Sequence, residues 1–306
     1  MDCVVTGGAG FIGSNLVDAL LARGDRVAVI DDFSSGKRAN LTGGATVHEL
    51  DVRDAAGVDA VFARARPQLV FHLAAQIDVR ASVEQPAQDA DTNVLGTIAV
   101  LEAARRHRAR RVVNTSTGGG LYGDAEVIPT AEDQPIRPLA PYGQSKYAAE
   151  GYCELYARLH GLSTVSLRYG NVYGPRQDVH GEAGVVAIFC GHLVAGRAPT
   201  VYGDGRQTRD WVNVADVVGA NLLAADSTLG GPINIGHGRE TSVLQLLDAL
   251  AGIEDRPSLV PPLFEPERPG EVRRSCLDVT RAKLELRWEP RVSLQDGLRT
   301  ILAGLP

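Results

Sequence analysis

The sequence predicts an α/β chain, a doubly wound parallel sheet with a smaller mixed α/β lobe attached. Three observations carry this. Short apolar runs alternate with longer stretches whose apolar residues recur three and four positions apart, the pattern of strands and covering helices in βαβ units. The first run leads directly into a glycine-rich turn, and from about Asn171 the alternation gives way to Gly, Pro and charge in less regular order. At 306 residues, 44% hydrophobic and 22% charged, the chain has the length of about two domains and enough apolar side chains to bury a core.

Taken in order, the candidate strands are 3–6, 26–31, 46–49, 69–73, 111–115 and 164–168. The run Val27-Ala28-Val29-Ile30 is continuously apolar, as a strand covered on both faces should be. Helical spacing appears at Ile12, Leu16 and Leu20 with Val17 and Leu21, and again at Val94, Ile98 and Leu101. A first domain is expected over 1–170, joined in space by about 210–237, where a helical pattern and an apolar run can return to the sheet. Segments 171–209 and 238–306 then make the second lobe.

The turn after the first strand reads Thr6-Gly7-Gly8-Ala9-Gly10-Phe11-Ile12-Gly13. Glycines at Gly7, Gly10 and Gly13 permit a tight turn and bring backbone N–H groups onto a pyrophosphate at the positive end of the helix that follows from Ser14, with Phe11 and Ile12 in the same cofactor-binding turn. This makes the sheet a Rossmann-type one and the ligand a dinucleotide. Asp31 ends the second strand 18 residues after Gly13, followed by Asp32. A carboxylate there accepts from ribose hydroxyls and repels a 2′-phosphate, which favours NAD. Asp51 and Val52 after the third strand are placed to bracket an adenine, and Leu73, Ala74 and Ala75 after the fourth offer small residues for close approach. Asn93 is expected to bring an amide to the middle of the site.

Pro141-Tyr142-Gly143-Gln144-Ser145-Lys146 sets a phenol and an ammonium four residues apart, on one face of a helix that tolerates proline in its first turn. A free phenol titrates near 10; an adjacent ammonium and a positive nicotinamide are expected to lower it by about three pH units, roughly 4 kcal/mol. Upstream, Ser116 and Thr117 end the fifth strand, with Thr117 25 residues before Tyr142. Hydroxyl, phenol and ammonium form a proton relay, which assigns catalysis to Thr117, Tyr142 and Lys146 and leaves open whether Ser116 or Thr117 is the reacting hydroxyl.

Composition narrows the alternatives. A net charge of −6 argues against a protein that neutralises nucleic-acid backbones or anionic membranes, and the basic run Arg105 to Arg111 reads as cations at a helix C-terminus. The four cysteines, Cys3, Cys153, Cys190 and Cys276, show neither metal-ligand spacing nor a disulfide framework, so no metal is expected. Without a leader pattern or an apolar run that spans a bilayer, a cytoplasmic location is expected.

These motifs resemble the extended short-chain dehydrogenase/reductase superfamily, and within it the UDP-glucose (UDP-galactose) 4-epimerases, over essentially the whole chain. The resemblance implies that Tyr169 passes the nicotinamide and that Asn171 contacts the sugar diphosphate. It further implies a diphosphate-side helix with Val185 and Val186, a uracil-side strand with Tyr202, phosphate-binding Arg209 and Arg268, and a ribose-binding Glu271. Ser275, seven residues after Arg268, stands where relatives restricted to unacetylated sugars carry a bulky tyrosine, which suggests tolerance of N-acetylhexosamines. A homodimer through 91–106 and 142–159 is also implied. The expected reaction is NAD-dependent epimerisation at C4 of a UDP-hexose through a 4-keto sugar. Dehydratases and decarboxylases of this superfamily place an acid just after the catalytic hydroxyl; here stand Gly118, Gly119 and Gly120. A ketoreductase or a non-catalytic NAD-binding sensor is a weaker alternative.

Overall fold

The computed structural model describes residues 1–178, 184–253, 260–267 and 272–305. Among the described residues twelve strands follow in order: β1 Asp2–Thr6, β2 Arg26–Asp31, β3 Thr46–Glu49, β4 Leu69–His72, β5 Arg111–Thr117, β6 Thr164–Tyr169, β7 Asn171–Tyr173, β8 Thr200–Tyr202, β9 Thr208–Asn213, β10 Pro232–Ile235, β11 Glu240–Ser242 and β12 Leu263–Glu265. Seven of them form one sheet in the order β10-β6-β5-β4-β1-β2-β3, with every pairing parallel. The expected Rossmann-type sheet is therefore present, and β10 adds the returning strand. β4 and β6 are buried along their full length, whereas β3, at the edge, is polar and mostly exposed.

Helices cover both faces. Phe11–Ala22 and Val214–Asp226 pack against each other on one side, and Ala55–Ala65, Gly96–Arg106 and Pro141–His160 pack together on the other. Arg111 bolts the first β5 residue to the end of helix Val214–Asp226. It is almost fully buried, and its guanidinium donates to the carbonyls of Ala224 (2.6 Å) and Leu229 (2.6 Å) and to the Ser163 hydroxyl (2.7 Å). Burial lowers its pKa to about 10. The rest of the basic run ends the Gly96–Arg106 helix, with Arg105 on Glu102 and His107 on Asp59.

The second lobe holds a three-stranded sheet, β11-β9-β7, and the pair β12-β8 around a separate core of Val186, Phe189, Leu193, Val201, Leu246 and Leu298. One connection was invisible in the sequence. Leu277, Val279, Ala282, Leu286 and Trp288 pack into the main core, and the Trp288 indole donates to the Asp216 carbonyl at 2.9 Å. Asp210, fully buried at the start of this seam, accepts from the N–H groups of His237, Gly238 and Leu277.

Candidate active site

The glycine turn lies at the C-terminal ends of β1 and β4, where the strand order of the large sheet reverses. Gly7 adopts φ +69°, and a Cβ there would stand 2.7 Å from the Ala74 nitrogen, so the turn and residues 73–75 are in direct contact. A Cβ on Gly13 would stand 2.0 Å from the Gly7 carbonyl oxygen. Gly10 caps the helix Phe11–Ala22 without any side-chain acceptor, which leaves its first-turn N–H groups for an anionic ligand. Phe11 and Ile12 are half-buried at this helix start.

Asp31 is buried at the tip of β2. One oxygen accepts from the Ala9 N–H (2.8 Å) and the other from the Phe33 N–H (2.9 Å), and burial nonetheless raises its pKa. Each oxygen keeps a further lone pair, so the carboxylate both clamps the glycine turn and can receive ribose hydroxyls. Asp32 is exposed and accepts from Ser34. Asp51 is gripped by Arg53, which also reaches Asp91. Val52 departs from expectation. Its side chain is buried in the core against Gly96, where a Cβ would stand 2.9 Å from it, so it faces inward instead of lining the crevice.

Behind the crevice, Thr97 donates to the Asn93 carbonyl (2.6 Å), so its oxygen must accept from Nε2–H of His72 (2.9 Å). Nδ1 of His72 is then the acceptor for the Thr6 hydroxyl (2.8 Å), whose oxygen accepts from Leu73 and Ala74 N–H, each at 3.2 Å. Every proton in this array has one position. Burial drives the imidazole pKa down to about 3, which keeps it neutral. Asn93, in a π-helical turn over Asp91–Leu95, exchanges hydrogen bonds with the Gln76 main chain (2.9 Å each) and donates to Asp89 at 3.1 Å. Its amide is thus committed to holding residues 76 and 89. Ala75 stands half-buried between these anchors.

Strand alternation separates the two candidate hydroxyls. The Thr117 hydroxyl accepts from the Gly120 N–H at 3.1 Å and lies beside the Tyr142 phenol, favouring its ionised form. The Ser116 hydroxyl points into the interior, fully buried and without a partner. Lys146, one helical turn after Tyr142, is buried and donates to the Thr115 carbonyl at 3.0 Å. Thr117 and Tyr142 are therefore brought together, with Lys146 one turn further along the same helix, and Gly143 packs so closely on the Gly118–Leu121 turn that a Cβ would stand 2.3 Å from the Gly120 carbonyl. The expected lowering of the phenol pKa is not a property of the chain alone. Burial pushes Tyr142 up to about 12 and Lys146 down to about 8, and the nearby Asp89 carboxylate raises both. Tyr169 is also placed differently from expectation. Its ring joins the main core and its hydroxyl accepts from Asn221 at 2.7 Å, which commits that side chain to the underside of the sheet.

On the facing lobe, Asn171 presents a buried amide oxygen without a protein partner, 3.5 Å from where a Gly119 Cβ would stand. Val185 is half-buried at the start of the helix Val185–Val194, but Val186 is fully buried in the lobe core, because successive helical side chains diverge by about 100°. Tyr202 and Arg209 are half-buried; the Tyr202 carbonyl accepts from Gln207 (2.8 Å) and Arg209 donates to the Thr208 carbonyl (2.9 Å). Ser275 is half-buried beside Cys276. Arg268 and Glu271 lie outside the described residues. Sequence reasoning missed His72, Gln76 and Asp89, and the one available signal was the four-residue spacing of Asp89 and Asn93.

Comparison with known proteins bears on this arrangement. Residues 3–236 match the model of the NAD dependent epimerase/dehydratase family. The chain is 47% identical over 303 residues to the UDP-glucose 4-epimerase of Mycolicibacterium smegmatis, covering 97% of this chain and 96% of that protein. Among solved structures, the UDP-glucose 4-epimerase of Thermotoga maritima with UDP-glucose superposes with a TM-score of 0.95 at 45% identity, over 99% of this chain and 98% of that one. The Thermus thermophilus UDP-glucose 4-epimerase in complex with NAD does so with a TM-score of 0.91 at 44% identity, over the same shares. The chain belongs to the NAD dependent epimerase/dehydratase family of extended short-chain dehydrogenases/reductases, in its UDP-glucose 4-epimerase branch.

Proposed function

We propose that the protein interconverts UDP-glucose and UDP-galactose by NAD-dependent inversion at C4, with Tyr142 as the proton shuttle. The observation that carries this is the convergence of a strand-end hydroxyl, a phenol and an ammonium beside a cradle shaped for a dinucleotide. Gly7, Gly10 and Gly13 with the helix start would hold the pyrophosphate, and Asp31 the ribose. NAD, when bound, supplies the acceptor and later the donor of the C4 hydride, so the net redox change is zero.

Tyr142 removes the 4-hydroxyl proton and returns it to the 4-oxygen after the keto sugar has turned to present the opposite face of C4 for reduction. Thr117 orients the 4-oxygen, and Lys146, fixed by the Thr115 carbonyl, stabilises the phenolate. Because the chain by itself, chiefly through burial, holds the phenol near 12 and the amine near 8, the base becomes competent only with the positive charge that a loaded site brings. The second lobe holds the nucleotide through Asn171, Arg209, Arg268 and Glu271, so the sugar can turn without escaping. Ser275 beside the sugar leaves room for an N-acetyl group. The test is incubation of purified protein with UDP-galactose and no added cofactor; UDP-glucose is expected, and failure with every member of a UDP-sugar panel overturns the reading.

A homodimer is proposed through the outer faces of 91–106 and 142–159, where Leu95, Tyr147 and Leu159 are exposed. A monomer in sedimentation would end that assignment. A reducing compartment, the cytoplasm, suits four cysteines that are all free and buried, and among the described residues no helix is long and apolar enough to cross a membrane.

A further inference from the structure

We infer that Asp89 is a positioning residue for this reaction, a buried counter-charge set against the helix that carries Tyr142 and Lys146. The inference rests on the proposed function for its kinetic readout but not for its geometry. Asp89 lies on the short helix Pro86–Ala90, packed against Pro141–His160, and its side chain is fully buried. One oxygen accepts from Gln76 Nε2 (3.2 Å) and Asn93 Nδ2 (3.1 Å). The other makes no hydrogen bond, although the Ser145 hydroxyl faces the carboxylate from the helix that carries Tyr142 and Lys146. A buried carboxylate that uses half its acceptors is expensive to keep for structure alone.

The neighbours narrow its role. The carboxylate whose charge reaches both Tyr142 and Lys146 is Asp89. Glu150, which also acts on Lys146, is neutralised by a buried pair with Arg168 through contacts of 3.0, 3.2 and 2.7 Å. Cys153 is a buried thiol whose pKa is raised to about 12, and His72 is held neutral. Thr117 is uncharged. Among these described groups, Asp89 is therefore the carboxylate that acts on both members of the dyad; burial raises its own pKa, and the Ser145 hydroxyl and the Lys146 ammonium oppose that rise. Its charge favours the protonated forms of both groups, raising the pH at which the phenol loses its proton and the pH at which the amine does.

The substitution Asp89→Asn preserves the acceptor used by Gln76 and Asn93 and offers an amide to the Ser145 oxygen, removing charge with little change of shape. The pH profile of kcat/KM for UDP-galactose is expected to move bodily toward acid, both limbs by about one pH unit. Asp89→Glu is expected to leave the limbs near their original positions. If Asp89→Asn does not fold, Asp89→Thr serves as the neutral variant. A substrate-independent reading comes from tyrosinate absorbance, the titration of each protein minus that of its Tyr142→Phe counterpart. Tyr142 should ionise at lower pH in the neutral variant. A uniform loss of turnover with unmoved limbs and an unmoved phenol titration overturns the inference. Wild-type protein inactive on all UDP-sugars would overturn the proposed function instead, while the phenol titration would still decide the role of Asp89.

Discussion

The two halves of the crevice are built on opposite principles. On the dinucleotide side, Asp31 is held by two backbone N–H groups, His72 by two threonines and Asn93 by the Gln76 main chain, while one Asp89 oxygen and the Ser116 hydroxyl remain without partners. Glycines there are demanded by close backbone approach. On the sugar side, the Asn171 oxygen is buried without a protein partner, as are the Gln207 oxygen and the Trp211 indole N–H deeper in that lobe, and Gly119, which meets Asn171 from the turn after β5, has space around it. A preformed cradle recognises a constant ligand by shape, whereas unpaired polar groups have bonding capacity left for a ligand that must turn over. The residues proposed to react, Thr117, Tyr142 and Lys146, stand at the seam.

The sharpest way to break this picture is at the seam itself. Tyr142→Phe removes the proton shuttle while leaving both halves intact, so turnover of UDP-galactose is expected to fall about a thousandfold with bound nicotinamide retained. Turnover within tenfold of the parent would move the chemistry elsewhere. The next test contrasts two glycines. Gly13→Ala drives a methyl into the Gly7 carbonyl and should cost about 2 kcal/mol or more and strip the cofactor, read from thermal unfolding and from nicotinamide released on denaturation. Gly119→Ala meets only the Asn171 oxygen at 3.5 Å and should keep stability and cofactor alike. Equal effects at the two positions would erase the distinction between the halves.

What was legible in the sequence follows the same division. The glycine turn, Asp31 and the Tyr142–Lys146 spacing are local patterns, read within a few residues or a single βα unit. Contacts that close across the chain left no such trace: Thr6 meets His72 over 66 positions, and Trp288 reaches Asp216 over 72. Orientation was equally hidden. Val52 and Val186 follow the right motifs but turn into cores, and only packing decides which neighbour in a motif faces the crevice. The phenol pKa was misjudged because spacing reveals the helpful ammonium and conceals both the burial and the charge of Asp89.

The preformed array makes a pH prediction. His72 titrates near 3 when folded and near 6.5 when unfolded. Between those values the unfolded chain binds a proton that the folded chain does not, so this group's contribution makes stability fall as pH drops below about 6.5, by up to roughly 1.4 kcal/mol per pH unit. Buried carboxylates with raised pKa values, Asp89 and Asp210 among them, act in the opposite sense, so the parent slope alone is ambiguous. Urea unfolding across this range should show a steeper acid loss for the parent than for His72→Asn. Parallel curves would mean that the imidazole is not buried neutral.

The smallest expected effect lies deepest in the sugar half. Ser275 is half-buried next to the Cys276–Leu277 segment, which is pinned by Thr130 and Asp210 and therefore cannot swing aside. On the proposed reading, a tyrosine at this position would fill space beside the sugar and leave the dinucleotide half alone. Ser275→Tyr is thus expected to lower kcat/KM for UDP-N-acetylglucosamine about tenfold while changing that for UDP-galactose by no more than about twofold. The signature is the ratio, since a general loss of packing would reduce both. An unchanged ratio would show that a neighbouring side chain already occupies the space, and the breadth of the sugar pocket would then have to be set by the Asn171 side of the crevice.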